Sequence, residues 1–131
     1  MNELINIGIS INDLKTMLEI NPSIKALNDK DIKENIEILR LFDLDEKEIK
    51  HILISNPLYL SRSVDDIKDL LKKLSELGFD DFNLIFDTNP YLLNNDSYEI
   101  DEYIEENMKK GLSIKEILEK FESNFYMLEE E

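Results

Sequence analysis

Apolar residues recur along this chain in four-residue steps, gathered into stretches of about three helical turns. Leu14 and Leu18 form the first set, Ile49 and Leu53 the second, Phe82 and Phe86 the third, and Ile117 and Phe121 the fourth. An i, i+4 pair places both side chains on one face of a helix. The starts of these stretches are marked as well. Ser10 with Asp13, Asp45 with Glu48, and Ser113 with Glu116 have the spacing of a capping box or its acidic equivalent, and Asp80 is placed to cap the third copy. A second family of stripes lies between them: Ile32 and Ile36, Ile67 and Leu71, Ile100 and Ile104. Asn28, Ser63 and Asp96 stand ready to cap these, each with an acid three residues on (Asp31, Asp66, Glu99). The first family predicts helices beginning near residues 11, 46, 81 and 114.

What ends each of those helices is the same dipeptide. Every proline in the chain follows asparagine, at Asn21-Pro22, Asn56-Pro57 and Asn89-Pro90, in steps of 35 and 33 residues. A further 35 residues lead to Asn124-Phe125, where Phe125 replaces the proline. Proline pushes the preceding residue out of the helical region and costs about 3 kcal/mol inside a helix. Asn is also a favoured N-cap and Pro a favoured first helical residue, so a short helical turn is expected at once, with the Asn capping it. Leu58-Tyr59-Leu60 and Tyr91-Leu92-Leu93 are apolar enough to plug between neighbouring helices. The recurring Tyr59, Tyr91 and Tyr126 are expected to pack at that edge with their hydroxyls reaching outward. Gly8, Gly78 and Gly111 lie 12 to 14 residues before a Pro or Phe125, a position that Asp43 fills in the second unit. There Gly78 and Gly111 suit a left-handed helix C-cap.

A fixed period of this size is the mark of a helical repeat array. The expected fold is all-α: a solenoid, of either hand, with about three and a half repeats of 33–35 residues, each running helix, Asn-Pro, short turn, helix. One domain spanning 1–131 divides into units at about 8–42, 43–77, 78–110 and a truncated 111–131. Met1 to Ile7 is expected to be the remnant of a preceding helix or a capping segment. Ala26 is the sole alanine, which argues against repeats of the tetratricopeptide or pentatricopeptide kind, whose helices meet through small residues.

Two stretches resemble the mitochondrial transcription termination factor (mTERF-type) family: Leu-Ser-Glu-Leu-Gly-Phe-Asp at 74–80 with Asn-Pro-Tyr-Leu-Leu at 89–93, and Ile-Leu-Ile-Ser-Asn-Pro-Leu-Tyr-Leu at 52–60. The likeness extends from about Gly8 to Leu128 and makes the chain a short, acidic member. It implies a repeat of two helices and a 3₁₀ turn, a curved superhelix, and binding of double-stranded nucleic acid along a basic concave groove.

Charge changes that functional expectation. The chain has 30 acidic residues against 15 Lys and Arg, a net charge of -15. Units one and two are nearly balanced, with five basic against six acidic and six against eight. Residues 78–110 hold two against nine, and no basic residue occurs from Leu74 through Met108. A polyanion laid along the whole array would meet repulsion over its second half. The expected function is therefore that of a non-enzymatic interaction module for a protein partner of basic character. Glu99, Asp101, Glu102, Glu105 and Glu106 are its candidate contact residues. The alternative is nucleic-acid binding by the less acidic units through Lys15, Lys50, Lys72 and Lys73. Lys15 and Lys50 share one register, seven residues before the proline, and would stack along one face.

No catalytic, cofactor or metal site is expected. The single histidine, His51, has no serine, cysteine or second histidine in a triad-like relation and reads as a helix-surface residue. Asn94, Asp96 and Glu105 match three positions of a calcium loop, but Glu99 stands where such a loop needs glycine. Three glycines at repeat junctions leave none for a phosphate loop. With no cysteine, no signal-like start and no long apolar run, the expected setting is cytoplasmic, off the membrane. Nothing in the sequence bears on oligomeric state.

Overall fold

A computed structural model describes residues 2–123. Helix α1 spans Asn2–Asn6, α2 Ile11–Ile20, α3 Asp29–Leu41, α4 Glu46–Ser55, α5 Val64–Glu76, α6 Phe82–Thr88, α7 Ser97–Lys109 and α8 Ile114–Ser123. Three 3₁₀ turns follow the prolines, at Pro22–Ala26, Pro57–Ser61 and Pro90–Asn94. No strand occurs among the described residues. The fourth turn expected at Asn124, Phe125 and Tyr126 lies outside them.

The helix starts follow from side-chain caps. Ser10 Oγ accepts from the Asp13 amide at 3.1 Å, and Asp45 Oδ1 from that of Glu48 at 2.8 Å. Ser113 and Glu116 form the reciprocal pair, at 3.2 and 3.0 Å. Asn28, Ser63 and Asp96 cap the second helices as expected. One cap differs. Asp81, not Asp80, holds α6, accepting from the Leu84 amide at 3.2 Å, because α6 begins one residue later than its stripe suggested.

Each second helix ends in the same reversal. The amide at the Gly register bonds three residues back (Asp43 to Arg40, Gly78 to Ser75), and the next amide bonds five back (Leu44 to Leu39, Phe79 to Leu74). This is the Schellman arrangement, which needs a left-handed residue. Asp43 adopts it at φ 65°, the single non-glycine among the described residues to do so. The segment before α2 closes identically through Gly8, so α1 is built like a second helix.

The helices stack in two rows. Helices α2, α4, α6 and α8 pack one on the next, as do α1, α3, α5 and α7, and the 3₁₀ turns stack on each other in a third row. Each unit thus touches its neighbours, the defining property of a solenoid. The expected stripes face inward: Leu14, Ile49, Leu53, Phe82, Phe86, Ile117 and Phe121 are buried, as are Ile32, Ile36, Ile67, Leu71, Ile100 and Ile104. Leu18 is only half-buried, and Met17 takes its place in the core. The core runs unbroken from Leu4 to Phe121 and becomes aromatic towards its end, where Phe79 and Tyr103 meet Phe121 edge-on at 6.1 and 5.2 Å.

Candidate interaction surfaces

The Asn-Pro asparagines do something other than capping. None makes a side-chain cap on the turn it precedes. Asn21 instead donates across to the next unit, to the Pro57 carbonyl at 3.0 Å and to Ser61 Oγ at 2.9 Å. Asn56 repeats the move, to the Pro90 carbonyl at 3.1 Å, and exchanges two bonds with the Asn94 amide at 2.9 and 3.0 Å. The proline keeps the Asn backbone out of the helical region (φ near -131° to -136°, ψ 66° to 82°), and the Asn21 and Asn56 side chains reach over the neighbouring turn. Tyr59 is another departure. Its ring is fully buried and its hydroxyl turns inward, donating to the Asn35 carbonyl at 2.6 Å. These polar residues are structural fasteners rather than a binding surface.

Helix α7 divides cleanly. Ile100, Tyr103, Ile104 and Asn107 are buried, while Asp101, Glu102, Glu105 and Glu106 are exposed on the opposite face. Glu99 stands apart from that face: its carboxylate accepts from the Asp96 amide at 2.9 Å and completes the capping box. Asp101 pairs with Lys73 of α5 at 3.1 Å, and Glu105 with Lys109 at 3.5 Å.

Three basic residues of the first two units, Arg40, Arg62 and Lys73, pair with carboxylates within the molecule. Arg40 forks onto Glu46 at 2.6 and 2.9 Å and also pairs with Glu37, and these carboxylates hold its guanidinium further towards the charged state. Arg62 bridges to Asp96 at 2.7 Å and to the Asn95 carbonyl at 2.9 Å. Lys73 is tied to Asp101. Lys50 lies over Gly8, where an added Cβ would sit 3.5 Å from its Nζ. Asn83, at the register of Lys50 one unit on, likewise reaches back: its Oδ1 accepts from the Asp45 amide at 3.0 Å. The register therefore serves contact between units. Lys15 and Lys72 are exposed.

His51 is more than a surface residue. It lies between Glu48 on its own helix α4 and Asp87 on α6, and one ligating atom from each of the three falls within 4.8 Å of the others. Glu48 is buried, His51 half-buried and Asp87 exposed. Burial, and then the Asp87 charge, pushes the Glu48 carboxyl up to about 7, with His51 pulling the other way and Asp45 adding to the rise. Asp87 was not singled out in the sequence because it lies 36 residues from His51. The repeat register could have found it, since α4 and α6 are successive members of one row.

The family model for mTERF matches residues 1–123. No curated protein and no solved structure matches the chain significantly. No described helix is long and apolar enough to cross a membrane.

Proposed function

The chain belongs to the mTERF family, and from that premise we propose that it is a non-enzymatic helical-repeat scaffold that binds a protein partner of basic surface through the solvent face of α7. One observation carries the reading. Asp101, Glu102, Glu105 and Glu106 are all exposed on a helix whose other face is firmly packed in the core. Two like-charge pairs at i, i+4 oppose helix formation by about 0.2–0.5 kcal/mol each, and a basic partner would relieve them. Charges of this kind chiefly set association rate and salt dependence.

The test replaces all four with glutamine. The variant is expected to fold with about the stability of the parent, since relief of the two like-charge pairs offsets loss of the Lys73–Asp101 and Lys109–Glu105 pairs, while capture of its partner from native extract falls. With the partner purified, binary binding should weaken and lose its salt dependence. Unchanged affinity at unchanged salt dependence would leave α7 as plain solvated surface.

A second reading has its own support, since the mTERF family generally binds nucleic acid. Lys15 and Lys72, with Lys50 and Lys73 beside them, would supply the contacts in the nearly neutral first two units. Steep, salt-sensitive binding of duplex DNA, lost on changing these four lysines to glutamine, would favour this reading over the first.

A further inference from the structure

We propose that Glu48, His51 and Asp87 form a divalent-cation site of the zinc type that clips α4 to α6 across the second and third repeats. The three residues come from two elements 36 residues apart and present one imidazole nitrogen and two carboxylates to a single point. That donor set suits zinc, which takes nitrogen and oxygen ligands and needs only three or four. Calcium and magnesium call for six or more oxygens in most sites. Two carboxylates and a neutral imidazole would bring a dication to exact charge balance.

The protein atoms at the centre are left wanting such an ion. Glu48 is 8% exposed, and its Oε1 is buried with no hydrogen-bond partner. His51 Nε2 is likewise buried and without a hydrogen bond, 3.8 Å from Asp87 Oδ1, which is beyond hydrogen-bond reach. A buried carboxylate oxygen and a buried ring nitrogen that each lack a hydrogen-bond partner are costly. On the far side of the ring, His51 Nδ1 lies 3.4 Å from Ser55 Oγ. A proton on Nδ1 directed at that hydroxyl leaves the Nε2 lone pair aimed into the cluster, the tautomer that metal ligation requires. Ligands at about 2.0–2.1 Å from zinc stand about 3.3 Å from one another. The cluster is wider than that, so the side chains must draw in. Asp87, on the exposed rim, is the one free to do so.

The ion would join neighbouring members of one helix row and leave a coordination position for water. Neighbour contacts set the stiffness of a solenoid, so occupancy would couple units two and three more tightly. This inference is independent of the partner that α7 binds.

The experiment is calorimetric titration of the chelator-treated full chain with zinc chloride. It is run beside Glu48→Gln, His51→Gln and Asp87→Asn, with Asp101→Asn/Glu102→Gln as the control. One saturable site is expected, at least tenfold weaker in each of the three single variants and unchanged in the control, with the melting temperature of the parent rising with zinc concentration. Because the chain has one histidine, its imidazole proton signals give a second readout that needs no variant, and zinc should shift them to saturation at one equivalent. Absence of saturable binding would overturn the site. So would binding that leaves the imidazole signals in place or survives His51→Gln, since the ion would then belong to the general acidic surface. Imidazole signals that respond to pH but not to zinc would assign the cluster to an ion pair instead.

Discussion

The junction between units one and two and the junction between units two and three use one frame and two chemistries. At the first, the cross-links over the 3₁₀ turns are neutral: Asn21 on the Pro57 carbonyl and Ser61, Asn35 on the carbonyls of Leu60 and Arg62 at 3.0 and 3.2 Å, and Tyr59 on the Asn35 carbonyl, with the Arg40–Glu46 fork as a charged pair at the exposed edge. At the second, the asparagine bond is kept, but charge is laid over it. Arg62 pairs with Asp96, Lys73 with Asp101, and the Glu48–His51–Asp87 cluster spans the helices. Among the described residues, three of the four buried polar atoms without hydrogen-bond partners, Glu48 Oε1, His51 Nε2 and Arg62 Nε, belong to the second junction, and the fourth, Asn89 Oδ1, lies at the one beyond it. Neutral bonds fasten the array irrespective of salt and pH. Charged ones make its middle sensitive to ionic strength.

The largest effect should come from the apolar frame that both junctions share. Leu53 in α4 and Leu71 in α5 are fully buried in the central unit, where they sit between the helices before and after. Leu53→Ala and Leu71→Ala should each cost about 2–5 kcal/mol, and melting should show both flanking units weakened together. Melts at the parental temperature would mean that the two junctions do not share a core.

Next comes the asparagine of each junction. Asn21→Ala and Asn56→Ala strip a buried proline carbonyl of its donor, at about 1–3 kcal/mol each. The two should not be equal. Asn56→Ala also abandons both amide groups of Asn94 that it had paired, whereas Asn21 leaves only a serine hydroxyl that can turn to water. Denaturant titration should rank Asn56→Ala as the more damaging, and a reversed order would remove the Asn94 pairing from the ledger of the second junction.

That role for asparagine was half legible in the sequence. The period, the helix starts and the helix ends could be read because each depends on local rules: a cap binds three residues on, a stripe repeats every four, and proline acts on its neighbour. The partner of an Asn side chain lies in the next repeat, so local rules assigned Asn21 and Asn56 to capping their own turns. Tyr59 was misread for the same reason, since the buried Asn35 carbonyl that turns its hydroxyl inward lies 24 residues earlier. Among the candidate site residues, the sequence identified which were acidic and which helix they shared. It also placed Glu99 at capping-box spacing from Asp96, as the structure shows, but it could not foresee that Lys73 already holds Asp101. His51 looked solitary until α6 brought Asp87 beside it.

The smallest effect is the sharpest test of the charged junction. Lys73 of α5 and Asp101 of α7 occupy the registers that Ile38 of α3 and Lys68 of α5 occupy one unit earlier, where those two line a common groove. The first junction therefore has an isoleucine where the second has an ion pair. With Asp101 more than half exposed and Lys73 about a quarter, the pair should contribute no more than about 1 kcal/mol. Lys73→Gln should lower the melting temperature slightly at low ionic strength. At about 1 M salt the Debye length shrinks to about 3 Å, and the difference from the parent should vanish. Asn56→Ala should keep its full penalty under the same salt, because its bonds are neutral and buried. A Lys73→Gln penalty that persists undiminished at high salt would show that its aliphatic stem, not its charge, holds α5 to α7. The second junction would then resemble the first, with Lys73 packing as Ile38 does.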